Sequence, residues 1–212
     1  MKTYEFGERT AGICLIQPVD DHDLTGIENE YDRICELSGK EFCLIAFKVG
    51  DWNKDLSPWN APAVFGNEDF GDGATDTLSE ILSFCPEDGR KYYIGGYSLA
   101  GLFALWASTQ TDRFAGVAAA SPSVWFPGWI DYAEANEIKT GKVYLSLGDK
   151  EEKTRNPVMR TVGDNIRRQY GILQADTACD ECTLEMNQGN HFKEPDIRTA
   201  KGFAWLLKEN EL

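Results

Sequence analysis

The chain has 212 residues, of which 42% are hydrophobic and 12% aromatic, and its formal net charge is −14. This length fits a single domain spanning residues 1–212, with enough apolar side chains to fill a core. The excess of 35 acidic over 21 basic residues argues against nucleic acid and anionic membranes as partners. Because no apolar segment approaches the ~20 residues that span a bilayer, and the amino terminus lacks a secretory signal pattern, we expect a cytoplasmic protein.

Short apolar segments alternate with segments of helical periodicity along the chain. The apolar segments predict six strands, at residues 11–17, 42–49, 92–96, 116–120, 143–147 and 183–186. The periodic segments predict helices around 24–34, 74–85, 99–109, 159–170 and 197–207. This alternation is typical of an α/β fold with a mostly parallel sheet and helices on both faces. Right-handed crossovers then bring the carboxyl ends of the strands to one edge of the sheet, where functional residues collect.

A serine follows the third predicted strand, in the sequence Gly96-Tyr97-Ser98-Leu99-Ala100-Gly101. A serine between small residues, placed where a strand ends and a helix begins, is typical of a nucleophile elbow. The helix amino terminus offers free N–H groups, so we expect the Leu99 N–H to bind a substrate oxyanion. The alternative is a glycine-rich turn that contains an incidental serine.

A serine nucleophile needs a base, and the chain has only two histidines. His22 lies in an acidic segment at a predicted helix start and is interpreted as a surface residue. His191 lies after the last strand and before the last helix, which is where the serine hydrolases with this elbow carry their base. We therefore predict Ser98 as the nucleophile and His191 as the general base.

The third member of such a site is a carboxylate that orients the imidazole. Three acids follow the fifth predicted strand: Asp149, Glu151 and Glu152. Asp149 lies close to the strand end, and Glu152 lies far enough along to cap the following helix. Glu151 is our prediction, and the other two stay open as alternatives.

The second oxyanion donor is expected in the loop after the first predicted strand. Pro18 has no N–H, so Val19 is the predicted donor. Trp52 and Trp125 follow the second and fourth strands, on the same edge of the sheet, and we predict that they wall the substrate pocket, with Trp59 as an alternative to Trp52. Core packing is the alternative for each tryptophan, and a dimer interface is an alternative for the aromatic segment 52–59.

Cys179 and Cys182 have the spacing of half a zinc site or of a redox pair. The chain offers no second pair of this kind, and the segment precedes a strand rather than starting a helix. We therefore predict no metal site and leave the role of the two cysteines open.

Four motifs, at residues 96–101, 121–125, 147–152 and 189–192, follow one another in an order that resembles an esterase family of the α/β hydrolases. That family includes enterochelin-type esterases, S-formylglutathione hydrolase and mycolyltransferases. The resemblance implies an α/β-hydrolase fold, a Ser–His–acid triad, ester chemistry and no cofactor. Two departures are Ala100, where the family carries glycine, and the short segment 121–141, where larger relatives carry a lid. We therefore expect a minimal or absent lid.

These features predict a serine esterase that acts on a small-molecule ester through an acyl-enzyme. An acyltransferase or thioesterase would use the same triad, and a non-catalytic binding scaffold is a further alternative. The sequence identifies neither the acyl group nor the alcohol, and it leaves the oligomeric state open.

Overall fold

The computed structural model describes residues 1–208, and within them a seven-stranded sheet forms the centre of the fold. Its strands are β1 (Lys2–Gly7), β2 (Ile13–Val19), β3 (Cys43–Lys48), β4 (Lys91–Tyr97), β5 (Phe114–Ala120), β6 (Lys142–Gly148) and β7 (Glu181–Asn187). Their order is β1-β3-β2-β4-β5-β6-β7, and every neighbouring pair is parallel except β1 with β3. Residues 209–212, which the predicted domain includes, lie outside the described residues.

Helices cover both faces of the sheet, and they are α1 (Ile27–Ser38), α2 (Trp52–Asp55), α3 (Ala74–Leu82), α4 (Leu99–Gln110), α5 (Trp129–Ala135), α6 (Val162–Ala175) and α7 (Pro195–Leu206). Apolar side chains of α3, α4, α5 and α6 form one core with the sheet, and those of α1 and α7 form the other. Within residues 1–208, no helix is both long and apolar enough to cross a membrane.

The two cores explain why the central strands are apolar without interruption. In β2, Cys14 and Ile16 enter the core beneath α4, while Leu15 between them enters the core beneath α1 and α7. Side chains alternate between the faces of a strand, so a strand covered on both faces needs apolar residues at every position.

The predicted strands correspond to β2–β7, with bounds that differ by no more than two residues. The predicted count of six is wrong, because β1 pairs with β3 at the edge of the sheet. An edge strand has one strand neighbour, and β1 places only the half-buried Tyr4 and Phe6 against the core while Lys2 and Glu5 are exposed. Such a strand has no continuous apolar segment, which was the signal used for the others.

Two short helices, α2 and α5, lie in segments for which no helix was predicted. Helix α5 lies within the segment 121–141, and its Trp129, Ile130 and Ala133 are buried in the core. This segment therefore packs on the body of the domain, in line with the expectation of a minimal lid.

We expect Gly95→Ala to lower the free energy of unfolding by about 1–3 kcal/mol, because an added Cβ overpacks a full core. That Cβ would lie 2.7 Å from both the Ala118 carbonyl oxygen and Phe203 Cζ. Gly171→Ala in α6 is the control, because its Cβ would meet no atom within 4 Å. It should raise stability by up to about 1 kcal/mol. Urea unfolding measures both, and an equal effect of the two changes would contradict this account.

Candidate active site

Ser98 lies between β4 and α4 with φ 56° and ψ −118°. Such a backbone conformation costs a residue other than glycine roughly 1–3 kcal/mol and persists only where neighbouring groups impose it. The Ser98 N–H donates to the Ala120 carbonyl at 3.1 Å, and the Ser98 carbonyl accepts from the N–H groups of Leu102 and Ser123. These bonds to β5, α4 and the loop after β5 hold Ser98 in the geometry of a nucleophile elbow.

Gly96 and Ala100 fit one another across the elbow. A Cβ placed on Gly96 would lie 2.6 Å from the Ala100 Cβ, which is closer than two carbon atoms can approach. The methyl group of Ala100, the departure noted in the sequence, is accommodated because position 96 has no side chain.

His191 connects Ser98 to Glu151 through a chain of hydrogen bonds. Its Nε2 lies 3.0 Å from Ser98 Oγ, and its Nδ1 lies 2.7 Å from Glu151 Oε2. Because a carboxylate only accepts, Nδ1 carries the proton, and Nε2 is left to accept from the serine hydroxyl. The Tyr97 hydroxyl donates to the His191 carbonyl at 2.7 Å, which fixes the backbone of the histidine loop.

The Glu151 carboxylate is buried and fully engaged. Its Oε1 accepts from the Gly148 N–H at 2.7 Å and from the Ser121 hydroxyl at 2.8 Å. Burial by itself would raise the pKa of the Glu151 carboxyl, but the hydrogen bonds from His191, Gly148 and Ser121 hold that pKa below its usual value. Glu151 is therefore ionised at neutral pH, as a group that orients an imidazole must be.

The two alternative acids have other partners. Asp149 Oδ1 accepts from the Gly189 N–H at 2.8 Å and holds the histidine loop against the end of β6. Glu152 forms a surface ion pair with Arg167 at 3.1 Å. Glu151 is thus the one of the three that the structure brings to His191.

The predicted oxyanion donors lie on two sides of the elbow. Leu99 is the first residue of α4, where backbone N–H groups have no acceptor within the helix. Val19 is the last residue of β2; its side chain is buried, and its carbonyl accepts from Val49. Residues Gln17 and Asp20 on either side of Val19 line the cleft at Ser98. The donor role of Val19 stays a prediction.

A cleft of about 490 Å³ opens at Ser98 and His191. Trp52 lines it and is half-buried, and its role in binding a substrate stays a prediction. Trp125 lines a second cleft, of about 300 Å³, on the other side of His191, and its ring packs against Phe65 and Phe70. Phe192 borders both clefts and is 86% exposed.

Acidic side chains give the first cleft its electrostatic character. Asp20, Asp23, Glu30 and Asp196 line it. Burial and the neighbouring Asp20 raise the pKa of Asp23 to about 6. Burial, with Asp23 and Asp196 adding to it, raises the pKa of Glu30 well above its usual value.

No protein-family model matches the sequence, and no curated protein matches it. Solved structures do resemble it. The siderophore hydrolase EstA from Aspergillus nidulans is 18% identical, with a TM-score of 0.70 over 95% of this chain and 85% of its own. An IroE-like serine hydrolase from Shewanella oneidensis is 13% identical, with a TM-score of 0.72 over 97% of this chain and 75% of its own. Acyl-protein thioesterase 2 from Zea mays is 13% identical, with a TM-score of 0.56 over 98% of this chain and 99% of its own.

The chain has the α/β-hydrolase fold. The sheet order, the elbow after β4 and these structural neighbours agree on this, so the predicted fold is confirmed. In this α/β-hydrolase fold the carboxyl ends of β4, β6 and β7 bring Ser98, Glu151 and His191 to one edge of the sheet.

Sequence reasoning missed Arg198, which is 2% exposed and lies on the buried side of α7. Its Nη1 donates to Glu151 Oε1 at 3.1 Å and to the Tyr97 hydroxyl at 3.1 Å. Its Nη2 donates to the carbonyls of Gln188 and Asn190 in the histidine loop. The available signal was an arginine among the residues that the helical period of α7 directs into the core.

Ser121 and Ser123 were also missed as site residues. Ser121 has φ 42° at the end of β5 and donates to Glu151, while Ser123 Oγ lies 3.2 Å from Ser98 Oγ. Both belong to the segment 121–125, which the sequence analysis used as a motif of the esterase resemblance without giving these serines a role.

Cys179 and Cys182 lie beside one another at the start of β7, and both are free. Burial and the neighbouring Cys182 raise the pKa of Cys179 to about 12, which disfavours a reactive thiolate. Among residues 1–208 no group of three or more His, Cys, Asp or Glu side chains is placed to hold a metal ion.

We expect Arg198→Met to lower the free energy of unfolding by about 3–5 kcal/mol, because it removes one partner of a buried ion pair and leaves Glu151 buried. The control is Arg167→Met, which removes the exposed partner of Glu152 and should cost less than about 1 kcal/mol. Urea unfolding at neutral pH measures both. Equal costs would show that the buried pair contributes no more than the surface pair.

Proposed function

We propose that this chain is a serine esterase in which Ser98 is the nucleophile, His191 the general base and Glu151 the residue that orients the imidazole. The observation that carries the proposal is the continuous hydrogen-bonded chain, 3.0 Å from Ser98 Oγ to His191 Nε2 and 2.7 Å from His191 Nδ1 to Glu151 Oε2. Both distances are within hydrogen-bonding reach, as proton transfer from the serine requires.

The reaction follows from these positions. Ser98 Oγ attacks the ester carbonyl while His191 Nε2 takes its proton, and ionised Glu151 stabilises the imidazolium that forms. The N–H groups of Leu99 and Val19 bind the oxyanion of the tetrahedral intermediate. His191 then protonates the departing alcohol, and an acyl group remains on Ser98. Water, activated by the same imidazole, releases the acid, so no cofactor or metal enters the scheme.

The acyl acceptor separates a hydrolase from an acyltransferase, and the leaving group separates an esterase from a thioesterase. The cleft at Ser98 is bordered by exposed residues, among them His22 and Thr25, and this access for water supports hydrolysis. A small-molecule ester fits a cleft of about 490 Å³. The cytoplasmic location expected from the sequence stays a prediction.

We expect a fluorophosphonate probe to label the protein covalently, and Ser98→Ala and His191→Ala to abolish labelling, because the probe reacts with an activated serine. Ser83→Ala is the matched control, since Ser83 is an exposed serine at the end of α3. Labelling is read by gel fluorescence, and circular dichroism checks that each variant is folded. A folded parent protein that does not label would favour a binding scaffold instead.

The identity of the acid can be tested with two neighbouring residues. Glu151→Gln should lower kcat for a short-chain p-nitrophenyl ester by a factor on the order of 10³, because the amide no longer holds the required imidazole tautomer. Glu152→Gln, which removes the same charge one residue away at the surface, should leave kcat within about twofold. Equal losses in the two variants would remove Glu151 from the mechanism.

The choice of acceptor is tested in the same assay by adding methanol or a primary amine and separating the products. Hydrolysis is expected to dominate in water without an added acceptor. Product that forms only when an acceptor is present would identify an acyltransferase.

A further inference from the structure

The Ser98 cleft contains a buried polar pair that the proposed chemistry does not use. Gln17 of β2 and Glu30 of α1 both line the cleft and are 2% and 3% exposed. Gln17 Nε2 donates to Glu30 Oε2 at 3.3 Å, while Gln17 Oε1 and Glu30 Oε1 have no hydrogen-bond partner. Buried acceptors without donors cost free energy, and most folded proteins pair them. Two acceptors in one cleft therefore indicate a donor that comes from outside the chain.

The other three acids of the cleft accept hydrogen bonds that belong to the local structure, whereas Glu30 accepts only the bond from Gln17. Asp20 and Asp23 accept from each other's backbone N–H groups at the turn before α1. Asp196 accepts from Asn29 at 2.6 Å and lies in the first turn of α7, where a helix dipole favours an acid. Local structure thus accounts for these three carboxyl groups and leaves Glu30 without an explanation.

The cleft has no compensating cation from lysine or arginine among the described residues that line it. The nearby Lys48 pairs with Asp21 outside the cleft, and Arg198 is engaged with Glu151. Four carboxyl groups line this space. Burial raises the pKa of Glu30 and Asp23, and a cation bound beside them favours their ionised forms, so the cleft gains negative charge when a cation enters it. An ammonium or guanidinium group also carries several N–H donors and no acceptor, which matches the two unpaired oxygens.

We infer that this cleft binds the positively charged end, an ammonium or guanidinium group, of the ester on which Ser98 acts. The inference rests on the proposed esterase function and names its substrate class. Glu30 and Gln17 accept hydrogen bonds from the cationic group, while Asp20, Asp23 and Asp196 supply the surrounding field. The charge can belong to the alcohol or to the acyl part of the ester, since either can reach the cleft from a carbonyl at Ser98.

Matched esters that differ in charge but little in shape test the inference. The first pair is ω-aminohexyl butyrate and heptyl butyrate, and the second is the methyl ester of ε-aminohexanoic acid and methyl heptanoate, so that each pair exchanges a primary ammonium group for a methyl group. In at least one pair, kcat/KM of the cationic ester should exceed that of its neutral partner by about tenfold or more, the gain expected for hydrogen bonds to a charged group. The pair that shows the preference identifies the part of the substrate that carries the charge. A protein that hydrolyses the neutral esters equally well or better keeps its proposed function and overturns the inference.

Glu30→Gln keeps the shape of the side chain but cannot ionise and has one acceptor oxygen in place of two, so the cationic preference should fall by roughly tenfold while kcat/KM for the neutral ester changes little. Glu28→Gln is the control, because Glu28 lies on the same helix but is exposed and outside the cleft. Asp23→Asn is the second variant if Glu30→Gln does not fold, and it should change the preference in the same direction. An equal loss in Glu28→Gln would attribute the preference to the overall negative charge, and an unchanged preference in both cleft variants would also overturn the inference.

Binding without hydrolysis separates this inference from the esterase proposal. Titration calorimetry on the Ser98→Ala protein should detect binding of ω-aminohexanol, weakened about tenfold by adding Glu30→Gln and absent for heptanol. If no ester is hydrolysed but ω-aminohexanol binds in this Glu30-dependent way, the cation site stands and the esterase proposal fails. If neither probe binds and no cationic preference appears, ordered water alone occupies the two acceptors and the inference is wrong.

Discussion

A single buried carboxylate, that of Glu151, joins the parts of the molecule on which the site depends. It accepts hydrogen bonds from the end of β6 at Gly148, from the end of β5 at Ser121, from Arg198 of α7 and from His191. An ionised group can be buried only where its charge and its lone pairs are satisfied. The carboxylate therefore couples the positions of two strand ends, one helix and the histidine loop. Displacement of any one of these elements would remove one of its hydrogen-bond donors.

The elbow is held by a different means, through backbone geometry. The backbone of Ser98 has a positive φ, and its N–H and carbonyl are both used by β5, α4 and the loop that follows β5. The regular structure on either side of Ser98 offsets the strain at this residue. The strained backbone places the Ser98 hydroxyl next to His191. The same edge also holds Ser121 at a positive φ. Strained residues thus occur where two adjacent parallel strands end, which is where this fold collects its functional groups.

The two clefts beside His191 differ in charge. The one that contains Ser98 is lined by carboxyl groups, whereas the one on the other side includes Lys150 and Lys153 and is closed by Trp125. Phe192 stands between them, exposed to solvent. Under the proposed esterase function, a substrate that reached both clefts would meet carboxyl groups at one end and lysine side chains at the other.

The sequence by itself determined the fold class, and it placed Ser98 and His191 at the same edge of the sheet. Continuous apolar strands report burial on both faces, the small residues around Ser98 report a tight turn, and the chain has only two histidines, of which one follows the last strand. These are local signals, and they depend on hydrophobic periodicity and chain order. These signals did not reveal edge strand β1, because a strand that pairs with only one other strand needs no continuous apolar segment.

Only the tertiary structure decided which acid faces His191, and it alone revealed Arg198 and the unpaired oxygens of Gln17 and Glu30. Asp149, Glu151 and Glu152 are within four residues of one another, so their directions depend on the turn after β6 and not on their spacing. Arg198 and Glu151 are 47 residues apart in the chain, so no local sequence pattern contains both. Contacts of this kind arise when separate elements pack, and their physical cause is the satisfaction of buried charge and hydrogen bonds, which no local pattern records.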